Sequence, residues 1–182
     1  MKAAILVIDM LKEFVSGGLK AEKAEEIINK IKEVTEYGRR VGIPIFYLCD
    51  SHEPGDPELK LWGPHAMKGS EGAQVVDEIK PKEGDKVIEK KTYTGFFNTK
   101  LDDELKKLGV DTLILTGIHT HICVQHTAAD AFYRGYKIVV LEDATAAFTK
   151  EAHESGLNTM KQLYGADVMK VSELMEKLRE SR

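Results

Sequence analysis

The chain has 182 residues, 42% hydrophobic and 31% charged, a balance that describes a globular protein with enough apolar content for one full core. With 26 basic residues against 30 acidic ones and a formal net charge of −4, it has no basic excess to displace counterions from a nucleic-acid backbone. The run Ala3–Ile8, closed by Asp9, is too short for a signal-peptide core or a membrane span, so the expected address is cytoplasmic and away from membranes.

In chain order, Ala3–Ile8 reads as a buried strand. Ala21–Gly38 reads as a helix with Ile27, Ile28, Ile31 and Val34 on one face, ending near Gly38 or Gly42. Pro44–Cys49 is a second strand, and Lys86–Glu89 a third beyond a long polar segment containing Pro and Gly. Thr99-Lys-Leu-Asp102 fits a capping box that opens a helix stopped by Gly109. Thr112–Thr116 is strand four, Ile122–Arg134 a helix and Lys137–Leu141 strand five. A helix from about Thr149 to Tyr164, a short strand at Ala166–Met169 and a helix from Ser172 onward complete the chain. No repeat or linker interrupts the pattern, so residues 1–182 are expected to form a single domain. Alternating apolar strands and amphipathic helices predict an α/β fold. It is doubly wound, a six-stranded, mainly parallel sheet with helices on both faces in a Rossmann-like three-layer sandwich.

Ligands in such folds bind at the carboxyl ends of the strands. Those ends carry Asp9, then Asp50 and His52, then Lys90 and Lys91, then the loop Gly117-Ile-His-Thr-His-Ile-Cys123, then Glu142 and Asp143. Reactive side chains from separate strands converging on one rim are an enzyme's layout. Cys123 stands where a loop becomes a helix, and amides there favour a thiolate; the ordinary alternative is a small buried hydrophobe, the fate expected for Cys49. Asp9 reads either as a capped strand end or as a carboxylate in a partly dry cleft with a raised pKa. Alternation sends one of Lys90 and Lys91 into that cleft and the other away from it. A thiol, a carboxylate and an ammonium meeting there form a self-consistent nucleophilic set.

Asp50-Ser-His52, with Glu58 and His65 downstream, offers mixed nitrogen and oxygen ligands of the kind that suit Zn, Fe or Mn; the plain alternative is a polar loop with incidental histidines. His119, His121 and His126 form a rival set. No organic cofactor is expected. The absence of a CxxC pair or a neighbouring resolving cysteine weighs against a redox thiol protein.

Three motifs, in order and spacing, carry a resemblance over residues 3 to 148. They are Ile-Leu-Val-Ile-Asp9 with Phe14 five residues on, Lys90-Lys-Thr-Tyr-Thr-Gly-Phe96-Phe-Asn-Thr99, and Leu-Thr-Gly117-Ile-His-Thr-His-Ile-Cys123-Val followed by Thr127, Ala128, Asp130 and Ala131. On these the chain resembles the isochorismatase-like cysteine hydrolases, which include nicotinamidases and N-carbamoylsarcosine amidases. The resemblance implies a catalytic triad of Asp9, Lys90 and Cys123, with Lys90 preferred because it stands three residues before Tyr93. It implies a cis peptide between Ile118 and His119, and an oxyanion hole from the backbone amides of His119 and Cys123. It also implies a divalent metal on Asp50, His52, Glu58 and His65, and a substrate pocket lined by Phe14, Trp62 and Tyr93.

The expected reaction is hydrolysis of a small amide to acid and ammonia through a thioester. Nicotinamide is the first substrate, its pyridine nitrogen on the metal; a carbamoyl amide such as N-carbamoylsarcosine, bound without a metal, is the alternative. A non-catalytic binding protein on the same fold is the alternative of another class, and such proteins usually lack a triad member. The resemblance further implies a homo-oligomer. Leu11 stands where relatives often have Gln, His121 replaces an acidic residue, Gly63-Pro64 alters the local spacing, and Ala66 replaces a Cys of some members.

Overall fold

A computed structural model describes residues 1–182. The apolar runs become β1 (Ala3–Ile8), β2 (Ile45–Asp50), β3 (Lys86–Lys90), β4 (Thr112–Ile118), β5 (Lys137–Ala146) and β6 (Asp167–Met169). They form one sheet in the order β3-β2-β1-β4-β5-β6, with every neighbouring pair parallel. The helices are α1 (Lys12–Val15), α2 (Ala24–Val41), α3 (Leu59–Trp62), α4 (Leu101–Lys107), α5 (Gln125–Tyr133), α6 (Lys150–Tyr164) and α7 (Val171–Glu180).

β1 is buried along its length, as a central strand covered on both faces must be. Its alternate residues serve opposite layers. Ala3, Ile5 and Val7 join the core formed with α1, α2 and α7, whereas Ala4, Leu6 and Ile8 join the core formed with α4, α5 and α6. The predicted doubly wound sandwich is therefore the observed one, with a wholly parallel sheet. No helix is long and apolar enough to cross a membrane.

Several boundaries differ from the sequence reading, each for a tertiary reason. α2 begins at Ala24, not Ala21, because Lys23 takes a left-handed backbone (φ 61°). The amides of Ala21 and Glu22 are meanwhile taken by the carbonyls of Phe14 and Ala147, at 3.0 and 2.8 Å. Gly42, at φ 80°, closes this helix beyond Val41. Ile27, Ile28, Ile31 and Val34 are buried as their spacing predicts, each contributing about 1.5–3 kcal/mol. The capping box at Thr99 does not form. Its hydroxyl donates to the Gly95 carbonyl at 2.5 Å and accepts from the Leu101 amide at 3.3 Å, so α4 opens two residues later.

β5 runs past its predicted end at Leu141 to Ala146, and its register against β4 shifts between Leu115 and Gly117. The extra residues form a bulge. Glu142 and Asp143 consequently lie within the strand and do not reach the rim expected for them. Asp143 accepts from the Val171 amide at 2.9 Å and fixes the start of α7. Both acids line a separate charged recess of about 350 Å³ beside α2 and α6.

Gly117 sits where β4 closes on β1. Its φ is 115°, and a β-carbon there would overlap the Ile8 backbone. Left-handed strain and backbone overlap add, so Gly117→Ala is expected to cost about 3 kcal/mol or more. On a chain of this size that lowers the thermal midpoint by roughly 10 °C. A melting curve within 2 °C of the parent (about 0.5 kcal/mol) would contradict this account of the β1–β4 junction.

Candidate active site

β1 lies between β2 and β4, so strand order reverses there and a crevice opens at the carboxyl ends of these strands. Asp9 leaves β1 with a φ of 50°, and its Oδ1 accepts the Asp50 amide at 2.8 Å. β2 ends one residue later than predicted, and so does β3, which puts Asp50 in register with Lys90. Lys90 turns inward and is buried; Lys91 turns outward to Glu53, at 3.2 Å.

The Lys90 ammonium is the hub. Its Nζ lies 2.6 Å from Asp50 Oδ1, 2.9 Å from the Thr92 carbonyl oxygen, 3.6 Å from Cys123 Sγ and 2.9 Å from Asp9 Oδ2. An ammonium has three protons to give. Asp50, Thr92 and Cys123 receive them in hydrogen-bonding geometry, while Asp9 Oδ2 is paired by charge yet left without a hydrogen bond. Cys123 belongs to a π turn, Thr120–Val124, that precedes α5 in place of the predicted α-helical start. Its Sγ and one carboxylate oxygen from each of Asp9 and Asp50 lie within 4.8 Å of one another.

Electrostatics separates the roles of these groups. Burial, and next the Asp50 charge, push Asp9 up to about 6 against the opposing pull of Lys90. Burial alone would discharge Lys90, but Asp50 and Asp9 hold its pKa well above the ordinary lysine range. Asp50 is itself held below the usual carboxylate range, because Lys90 and His52 outweigh its burial. Cys123 departs from the sequence expectation. Burial pushes its thiol well above the ordinary range, and Asp9 and Asp50 together with burial outweigh Lys90. The resting sulfur is a thiol, not a thiolate. It stands beside a carboxylate oxygen that keeps a free lone pair. Cys49 is buried in β2 with its thiol also pushed up, chiefly by burial, which fits the packing role expected of it.

Asp50, His52, Glu58 and His65 are all buried, and one ligand atom from each lies within 4.8 Å of the others. His52 Nε2 is 3.5 Å from both Asp50 Oδ2 and Glu58 Oε2 and has no hydrogen-bond partner; Glu58 Oε1 has none either. Those separations match the ligand–ligand edge of about 3.4 Å in a tetrahedral shell with bonds near 2.1 Å. The outward nitrogens are already engaged. His52 Nδ1 lies 3.0 Å from Asp56 Oδ2 and His65 Nδ1 lies 2.8 Å from the Gly63 carbonyl, which leaves both Nε2 atoms as free ligands. The residues present fit a divalent ion. The rival histidines do not assemble, since His119 Nε2 donates to the Leu19 carbonyl and His126 Nδ1 to the Ile122 carbonyl.

Phe14, Trp62 and Tyr93 line the crevice above Cys123, with Trp62 Nε1 donating to the Tyr93 hydroxyl at 3.1 Å. Leu19, His119, Ile122 and Phe148 complete its walls. Sequence reasoning missed Phe148, which stacks on His119 at 3.9 Å and on Trp62 at 5.9 Å, and Asp56, whose place four residues after His52 was its only signal. Free space amounts to about 20 Å³. That is room for about one water molecule. The Ile118–His119 peptide is cis. Leu11 is buried in the core and bridges to Val75, away from the crevice.

Residues 3–173 match the family described as the isochorismatase domain. Nicotinamidase 3 of Arabidopsis thaliana is 34% identical over 85% of this chain and 78% of that protein. Enterobactin synthase component B of Escherichia coli (strain K12) is also 34% identical, over 92% of this chain; the chain spans 61% of that relative's length. The solved N-carbamoylsarcosine amidase from Thermoplasma acidophilum superposes with a TM-score of 0.89 at 45% identity, covering 94% of this chain and 97% of that one. The pyrazinamidase of Pyrococcus horikoshii in complex with zinc gives 0.86 at 28% identity, covering 93% and 99%. The chain belongs to the isochorismatase family of hydrolases.

Proposed function

We propose that residues 1–182 form one catalytic domain, a cysteine amidohydrolase that releases ammonia from a small amide through a thioester on Cys123. The observation that carries this reading is the buried set of Asp9, Lys90 and Cys123, in which a carboxylate oxygen without a hydrogen bond stands near a thiol and a fixed positive charge. Asp9 takes the thiol proton as Sγ attacks the amide carbon, and the carbonyl electron pair moves onto oxygen. The backbone amides of His119 and Cys123 hold that oxyanion. On collapse the C–N bond breaks, Asp9 returns its proton to nitrogen, and ammonia leaves a thioester behind. Water then loses a proton to Asp9, attacks the thioester and releases the acid, after which Asp9 reprotonates the sulfur. Lys90 stays charged throughout and offsets the negative charge that builds beside it.

Asp50, His52, Glu58 and His65 would hold a divalent ion, which when bound supplies a Lewis acid for a substrate heteroatom. With Trp62 and Phe14 available to an aromatic ring, that makes nicotinamide the first substrate. The 45% identity to the N-carbamoylsarcosine amidase of Thermoplasma acidophilum favours a second reading, hydrolysis of a carbamoyl amide, for which the sequence expectation is binding without a metal.

Ammonia release from nicotinamide and from N-carbamoylsarcosine tests the reading. Cys123→Ala and Asp9→Ala are each expected to lower turnover at least about a thousandfold in folded protein; near-parental rates in either would sink the mechanism. Asp9 must be ionised to accept the thiol proton. Below its pKa of about 6, kcat/KM is therefore expected to fall about tenfold per pH unit as the base becomes protonated. A cation beside Asp50 offsets that residue's repulsion and moves this limb lower, so an acid limb above pH 7 contradicts the assignment. Elemental analysis of purified protein is expected to find one divalent ion per chain, lost in His52→Ala together with nicotinamide hydrolysis. Protein that is free of metal and active on the carbamoyl amide alone supports the second reading instead.

A further inference from the structure

We infer that the His119 imidazole is a substrate-binding group whose Nδ1 accepts an N–H of the scissile amide, so that the crevice selects primary amides and carbamoyl groups over the corresponding esters. The inference rests on the amidohydrolase reading and adds a side-chain role to a residue so far given only a backbone one.

The ring is 3% exposed and lines the same crevice as Cys123. Its Nε2 lies 2.8 Å from the Leu19 carbonyl oxygen. A carbonyl has no proton to give, so Nε2 carries the hydrogen and Nδ1 presents a bare lone pair. Nδ1 is buried and has no partner. Burial also pulls the ring's pKa down to about 4, so at neutral pH the imidazole is uncharged and Nδ1 can only accept.

No protein donor stands in hydrogen-bonding geometry with Nδ1. Phe148 covers one face of the ring at 3.9 Å and 27°, and Phe14 meets it edge-on at 5.9 Å; neither has a polar hydrogen. His121, 6.1 Å away between ring centres, has its own Nδ1 without a partner. Buried acceptors are almost always satisfied, by protein, water or ligand, and one without a protein partner beside a ligand crevice is free to take its donor from the ligand. A carbonyl seated on the His119 amide brings its other substituents to the same residue. In an amide that substituent is an NH₂ group with a hydrogen to donate; in an ester it is an oxygen whose lone pairs face Nδ1. Polar sites built this way reject the analogue that lacks the donor. Nδ1 takes no proton in the reaction: the departing nitrogen keeps its two hydrogens and receives the third from Asp9.

The test compares amide with ester in one acyl series, nicotinamide with methyl nicotinate and N-carbamoylsarcosine with N-methoxycarbonylsarcosine. His119→Phe keeps a ring against Phe148 and removes the acceptor. It is expected to lower kcat/KM for the amide at least tenfold more than for the ester, mainly through KM. His119→Asn, which restores an acceptor, is expected to recover part of that ratio. Equal losses on both substrates in both variants overturn the inference and make the ring a structural wedge.

A second measurement does not depend on altering residue 119. In Cys123→Ala protein, nicotinamide is expected to bind at least tenfold more tightly than methyl nicotinate, and equal dissociation constants overturn the inference. Failure of the parent protein to release ammonia from either amide overturns the amidohydrolase reading itself. An active parent with an unchanged amide-to-ester ratio in the variants overturns only the role of Nδ1.

Discussion

One ammonium, buried between two carboxylates, orders everything around it. Lys90 closes the ends of β1, β2 and β3 through Asp9 and Asp50 and reaches the π turn through Cys123. It has three protons and four neighbours that want them. Asp9 Oδ2 is the neighbour left with charge attraction alone, the feature on which the proposed role of Asp9 as base rests. Burial is the larger cause of both the raised Asp9 and the protonated Cys123, and the excess negative charge of two carboxylates on one buried cation adds to it. The pull of Lys90 opposes both shifts and overcomes neither. Without the ammonium the two acids would face each other in a dry interior, an arrangement that costs several kcal/mol.

Asp50 joins this centre to the ligand cluster. Its Oδ1 is held by Lys90, and its Oδ2 stands 3.5 Å from His52 Nε2. Positive charge on either side of the carboxylate lowers its pKa, and whatever sits among His52, Glu58 and His65 is felt at Asp9 through it. The cluster and the Asp9–Lys90–Cys123 set are therefore electrostatically one site, although the sequence supplies them from separated segments.

Much of this was legible beforehand. The doubly wound parallel sheet with helices on both faces and the gathering of Asp9, Asp50 and Cys123 at one rim follow from apolar runs that end in reactive residues. The choice of Lys90 over Lys91 needed the family motif, and the alternating burial of β3 agrees with it. What was not legible depends on contacts distant in sequence. The late start of α2 is set by carbonyls of Phe14 and Ala147, and the extension of β5 by a bulge that periodicity does not reveal. The protonation of Cys123 turns first on its burial and then on the charges of Asp9 and Asp50 from other strands, none of which is visible from its place at the start of a helix. Phe148 and Leu19 enter the crevice from loops, where no pattern marks an inward-facing side chain.

The register of β3 on β2 has a last consequence. Lys90 and Lys91 are chemically identical and adjacent, which invites the idea that one could deputise for the other. A slip of one residue along β2 would indeed bring the Lys91 amine into the pocket. The same slip would swing Ile88 out into water and turn Glu89 toward the apolar layer, because a strand changes face at every step. Duplication along the chain thus confers no redundancy in space: Lys91 stays with Glu53 at the surface, and Lys90 alone reaches the buried acids.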